Sequence, residues 1–107
     1  MQTRIKATKL ELTAAIKSYI ETKLATIDKY LGEIKAINCD VEVGRVVGSR
    51  HKGDIFRMEV NLEVPHKLLR VEKTEKDLYK AIDKVKDHLE LVVKKYKEKL
   101  IDKRRGQ

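Results

Sequence analysis

Cysteine occurs once in the 107 residues, at Cys39, so no internal disulfide can form. No CxxC or HxxxH spacing offers a metal cage either. Proline also occurs once and glycine five times, which leaves little room for long irregular segments. No apolar run is long enough to cross a bilayer, which takes about 18 residues or more. Residues 1–10 lack the apolar centre of a secretory signal. No repeat appears at periods of roughly 20–50 residues, and no low-complexity linker cuts the chain. The expectation is one cytoplasmic domain, 1–107, reduced, without metal or cofactor, its last residues (102–107) forming a basic tail.

What is abundant is charge. Charged residues make up 39% of the chain, against ~25% in an average domain. Lys and Arg number 25 against 17 Asp and Glu, a formal +8. Such a balance points to an anionic partner, above all nucleic acid. The 41% of hydrophobic residues allows one modest core.

The hydrophobic pattern switches period along the chain. Residues 2–8 alternate weakly and predict a strand. Thr13 then reads as an N-cap, and Ile16, Ile20, Leu24, Ile27 and Leu31 recur at helical spacing before Gly32, a suitable C-cap. Residues 36–47 alternate, with Ile37, Cys39, Val41 and Val43 on one face. Residues 55–64 do the same, with Phe56, Met58, Val60, Leu62 and Val64 on one face. The loop between these strands, 44–54, holds three glycines, Arg45, Arg50, His51 and Lys52 and is expected to be mobile. Pro65 and His66 form a short turn into a fourth strand, 67–73. Thr74 to Asp77 resembles a capping box. A long helix follows, its apolar stripe formed by Leu78, Ile82, Val85, Leu89, Val92, Tyr96 and Leu100.

The order β-α-β-β-β-α predicts an α+β fold. It is a two-layer sandwich, a four-stranded sheet with both helices on one face. The other sheet face carries Asp40, Glu42, Glu59 and Glu63 and reads as acidic.

Charge position says more than total charge. On a wheel at ~100° per residue, the second helix carries Lys80, Lys84, His88 and Lys95 in a line opposite its stripe, flanked by Lys94 and Lys99. Residues 94–105 hold seven basic and two acidic residues. The first helix adds Lys17, Lys23 and Lys29. Some of these lysines are explained as ordinary helix-surface pairing, such as Glu90 with Lys94. The cluster as a whole suits a surface laid against phosphates.

Base-stacking aromatics are missing from the strands. Phe56 falls with the core set, and Tyr19, Tyr30, Tyr79 and Tyr96 all fall on helices. Recognition by shape and backbone fits better than base reading by a sheet. Catalysis finds no support. His51, His66 and His88 are scattered over a loop, a turn and a helix, and Cys39 alternates with core residues. Gly44-x-x-x-Gly48 lacks the Gly-Lys-Ser/Thr of a phosphate loop.

Three segments resemble one family. Glu11-Leu12-Thr13-Ala14-Ala15-Ile16 is similar to the E-x-T-x-A-[IL] helix opening of bacterial ribosome hibernation-promoting factors and ribosome-associated inhibitors, the sigma-54 modulation protein family. Lys23-Leu24-Ala25-Thr26-Ile27-Asp28-Lys29-Tyr30 is similar to its K-L-x-K-L-E-K-[YFW] helix end. Asp77-Leu78-Tyr79-Lys80-Ala81-Ile82-Asp83 resembles its D-M-Y-x-A-I-D motif, the most specific of the three. The resemblance covers nearly the whole chain, as a short form or as the N-terminal domain of a long form.

It implies the β-α-β-β-β-α sandwich, akin to double-stranded-RNA-binding domains. It also implies binding to the small ribosomal subunit and the intact ribosome, in the channel of mRNA and tRNA. Translation would be blocked and idle ribosomes stabilised, often as dimers, with no chemistry, membrane or small-molecule substrate. On that resemblance Lys23, Lys29, Lys84, Lys95 and Lys99 contact rRNA phosphates. The chain departs at His88-Leu89-Glu90-Leu91, where many members carry Lys-Leu-Glu-Arg. An imidazole and an apolar side chain replace two cations. Two other readings stand beside this one. One is a different structured-RNA module, such as a ribosome-assembly factor. The other is a protein-interaction domain using the acidic sheet or Leu91.

Overall fold

Thr13 sets the first helix boundary. Its backbone is extended (φ −74°, ψ 161°), and its side-chain oxygen accepts the Ile16 N–H at 3.2 Å, supplying one of the bonds a helix start lacks. Helix α1 runs Ala14–Leu31 and buries Ile20, Leu24, Ile27 and Leu31. It ends at Gly32, whose φ of 60° suits a residue without Cβ and whose N–H donates to the Asp28 carbonyl. In the computed structural model, which describes residues 1–46, 53 and 55–105, the strands are β1 (Thr3–Thr8), β2 (Asn38–Val46), β3 (Ile55–Val64) and β4 (Lys67–Glu75). Helix α2 spans Leu78–Arg105.

The sheet order is β1-β2-β3-β4, with β1 parallel to β2 and the other pairs antiparallel. The parallel pair follows from the α1 crossover, since two parallel strands cannot share a tight turn. Register aligns Cys39 with Leu62 and Leu69, and Val41 with Val60 and Val71. These rows meet Ile20, Leu24 and Ile27 of α1 and Ile82, Val85 and Leu89 of α2 in one core. The two-layer α+β sandwich, with both helices on one sheet face, is therefore the observed fold.

Several local expectations are corrected. Ile37 lies outside β2 and is 55% exposed, although its N–H still donates to the Glu63 carbonyl at 2.8 Å. Val93 is buried where Val92 is expected, and Val92 is only half-buried. Its step of four from Leu89 follows the observed axis better. The capping box does not form. Pairing with Arg57 and Phe56 of β3 keeps Thr74 and Glu75 in β4, and Asp77 is the cap instead. Its Oδ1 accepts the Tyr79 N–H at 2.9 Å, and its carbonyl accepts the Ala81 N–H. The basic tail is helical through Arg105. The expected mobile loop, with Arg50, His51 and Lys52, falls largely outside the described residues.

The open sheet face is charge-balanced rather than acidic. Arg57 reaches Glu42, Glu59 and Glu72 at 2.7–2.9 Å. Arg70 reaches Glu59 at 2.6 Å and Glu72 at 3.3 Å, and Arg4 pairs with Asp40 at 2.8 Å. Glu63 accepts from the Asn38 amide at 2.7 Å. The hydrogen bond from Arg70, with a second from Asn61, holds the Glu59 carboxyl down to about 2. Within each strand the arginine shares the parity of the acids, Arg57 with Glu59 in β3 and Arg70 with Glu72 in β4, so the pleat puts both signs on one face.

Candidate nucleic-acid interface

Six of the residues singled out by charge, Lys80, Lys84, His88, Lys94, Lys95 and Lys99, are exposed on α2. Because α2 packs its opposite side onto the sheet, they stand together along its outer surface. At ~1.5 Å per residue the row from Lys80 to Lys99 is about 28 Å long. Among the described residues, Lys80, Lys94, Lys95 and Lys99 hold no ion pair. Lys84 differs: its ammonium pairs with Glu75 of β4, and that contact keeps the Glu75 carboxyl below the usual range.

The acids of α2 are drawn away from the row. Lys86, half-buried, holds Asp87 at 2.8 Å and Glu90 at 3.0 Å. These contacts keep the Lys86 ammonium well above the ordinary lysine value. Glu90 thus pairs with Lys86 and not with Lys94. Leu91 interrupts the row and is 59% exposed.

Lys23 does not join the row. It sits half-buried in the seam between the helices, its Nζ 3.3 Å from Asp83 Oδ1 and 5.2 Å from the centre of the Tyr19 ring. The Tyr19 hydroxyl donates to the same Oδ1 at 2.6 Å, and Tyr79 meets Tyr19 edge-on at 4.8 Å. Tyr19 and then Lys23 hold the Asp83 carboxyl below the usual range, and Asp83 in turn raises the Lys23 ammonium. Lys29 is exposed in the last turn of α1. The helix ends are tied by another cation, Lys97, which donates to the Tyr30 carbonyl at 2.7 Å.

Lys73 is a cation that charge reasoning on the helix misses. An open groove of about 600 Å³ runs between β4 and α2, with Lys73, Lys84 and His88 on its walls. The signal was present. Odd positions of β4 face the helices, so a lysine following Leu69 and Val71 must leave the core at the sheet edge.

Burial pushes the Cys39 thiol up to about 12, so it stays a protonated small hydrophobe. Among the described residues, no three His, Cys, Asp or Glu side chains are placed to hold a metal ion. No helix of the described residues is long and apolar enough to cross a membrane.

Comparison with known proteins agrees with this frame. The chain is 33% identical over 95 residues to the ribosome hibernation promotion factor of Deinococcus radiodurans, a match covering 89% of this chain and 48% of that protein. It is 33% identical over 102 residues to the ribosome hibernation promotion factor of Lactococcus lactis subsp. cremoris, covering 95% and 52%. The chain thus spans about half the length of these curated relatives. The crystal structure of the Thermus thermophilus Protein Y N-terminal domain superposes with a TM-score of 0.68 at 34% identity, covering 88% of this chain and 94% of that one. A ribosomal subunit interface protein from Coxiella burnetii shares the fold, with a TM-score of 0.73 at 17% identity over 92% and 99% of the two chains. The family model described as Sigma 54 modulation protein / S30EA ribosomal protein matches residues 3–101, nearly the whole chain, and the chain belongs to that family.

Proposed function

We propose that this chain is a ribosome hibernation factor. It binds rRNA of the small subunit in the mRNA/tRNA channel, blocks translation and keeps idle ribosomes intact. The observation that carries the reading is the row along α2 in which Lys80, Lys94, Lys95 and Lys99 are exposed and hold no ion pair among the described residues, in a chain of this family. The relatives named for ribosome hibernation support the same direction.

In this reading Lys80, Lys94, Lys95 and Lys99 meet phosphates directly, with Lys29 contributing from α1. Lys84 and His88 do so from the groove beside β4. Lys23 acts through Asp83 by holding α1 against α2, and is a positioning residue. Phosphate contacts of this kind fix register and carry most of the affinity. A rigid helix presenting them in a fixed row favours folded RNA over loose strands. The work is done by occupancy and requires no chemistry, and the partner places the protein in the cytoplasm.

The test is co-sedimentation of the chain with purified bacterial small subunits at low and high salt, with and without bound tRNA. The expected result is stoichiometric, salt-sensitive binding that tRNA displaces. Absence of binding at low salt overturns the proposal. Equal affinity for an isolated RNA duplex replaces it with a general structured-RNA module, such as an assembly factor.

A further inference from the structure

The β3–β4 hairpin turns on two residues, Pro65 and His66. Pro65 suits the first corner. His66 occupies the second with φ 66°, in the left-handed region where a turn of this shape ordinarily takes glycine or asparagine. Lys9 is the other non-glycine described residue at positive φ, at 57°; glycine fits such a corner without strain, so exchanging His66 for it probes the side chain and not the turn.

Beside the turn lies a cavity of about 310 Å³, between the hairpin and the end of α2. Pro65, Tyr96 and Leu100 give it apolar walls. The Tyr96 hydroxyl donates to the Pro65 carbonyl at 2.8 Å, which locks helix and turn at a fixed spacing. His66, Lys67, Lys99 and Lys103 form the remainder of its lining, and no carboxylate lines it. Among the described residues, none of those three lysines holds an ion pair. The neighbouring depressions on the open sheet face, between β4 and α2, and on the other side of the hairpin, where Glu63 joins His66 and Lys67, each contain acids. Of these depressions among the described residues, this one joins an apolar wall to cations with no carboxylate in its lining.

We infer that this cavity binds a nucleotide. One unstacked base lies against the apolar walls and the His66 ring, and its phosphate lies among Lys67, Lys99 and Lys103. The volume is at the small end for ligand pockets, roughly 300–1,000 Å³, and suits one base with its sugar and phosphate at the mouth. A planar base meets an apolar wall and an imidazole face, as bases splayed from RNA do on aromatic side chains. The ammonium groups supply charge-assisted donors to the phosphate. The same chemistry is met by a free mononucleotide and by a base turned out of an RNA strand. The site shares only Lys99 with the α2 row and needs no ribosome, so its test is separate from that of the proposed function.

The experiment is a titration of the isolated chain, followed by amide NMR, with AMP, UMP, inorganic phosphate and a short single-stranded RNA. AMP is expected to shift residues 65–67 and 96–103, with inorganic phosphate about tenfold weaker or less. Tighter binding of the oligonucleotide than of AMP assigns the site to RNA; equal binding assigns it to free nucleotides. His66→Gly is expected to keep or raise the melting temperature, since glycine is at home at this φ, yet to weaken AMP about fivefold or more. The proposal is overturned if phosphate and AMP bind alike. It is equally overturned if no nucleotide or RNA perturbs these residues, or if folded His66→Gly binds AMP as the parent does.

Discussion

Replacing lysines of α2 by glutamine separates free cations from engaged ones. If Lys29, Lys80, Lys94, Lys95 and Lys99 each neutralise one phosphate, log K against log salt has a slope of roughly −3.5 to −4.5. Lys94→Gln, Lys95→Gln and Lys99→Gln combined lower its magnitude by roughly 2 to 3. A fourfold rise in salt then weakens the parent roughly 10²- to 10³-fold and the triple variant only about tenfold. All three side chains are exposed and hold no ion pair among the described residues, so the fold is expected to stay intact. Lys84→Gln is expected to change the slope less than Lys95→Gln, because Glu75 already holds that ammonium. Lys23→Gln should leave the slope unchanged while lowering the melting temperature through the Tyr19–Asp83 seam. The assay is co-sedimentation with small subunits over a salt series, with circular dichroism to verify folding. A folded triple variant with the parent's slope refutes the assignment of this face. Equal slope losses for Lys23→Gln and Lys95→Gln refute the distinction drawn between them.

Glu59 tests the arginine lattice. Its carboxyl is held from an ordinary 4.5 down to about 2, so its stabilisation is complete above the ordinary value and lost as pH falls from there towards about 2. Glu59→Gln should flatten the acid limb of the urea midpoint over that window, and an unchanged limb speaks against the lattice. Gly44→Ala should destabilise by roughly 1–3 kcal/mol, because a Cβ there would sit 2.8 Å from the Thr8 carbonyl oxygen, in backbone that cannot swing away. Chemical denaturation measures it, and a loss of amide protection in β1 should accompany it. Tyr79→Phe should change stability by less than about 0.5 kcal/mol, since the edge contact with Tyr19 is made by the ring. A large loss of subunit affinity in that variant would identify the hydroxyl as an RNA contact.

Element order and core were legible because burial imposes a period on the chain. Ile20, Leu24, Ile27 and Leu31 step by three or four, and Met58, Val60, Leu62 and Val64 by two, and each set is buried. Face membership of the α2 lysines was legible for the same reason. Partnership was not. Tyr19 and Asp83 are 64 residues apart, and only the packing of α1 on α2 brings Lys23 to the same carboxylate. The open sheet face shows the same division. Alternation places Asp40, Glu42 and Glu59 there, but register decides that Arg57 and Arg70 lie within reach of them. Thr74 read as a cap because a local motif was weighed without the competing pull of the β3 ladder.

The 28-residue α2 lies along a molecule 53 Å in its longest dimension, anchored from Leu78 to Tyr96. Such a helix can neither stretch nor shorten, so the intervals between its charges are set by covalent geometry. Lys80 to Lys84, Lys84 to His88 and Lys95 to Lys99 are each about 6 Å apart along the axis, and His88 to Lys95 about 10 Å. Leu91 occupies the wider gap. The row is a comb with one tooth missing, and it selects by spacing. An anionic surface whose own charges repeat at those intervals engages it without rearrangement. A flexible polyanion must first give up its freedom to do so.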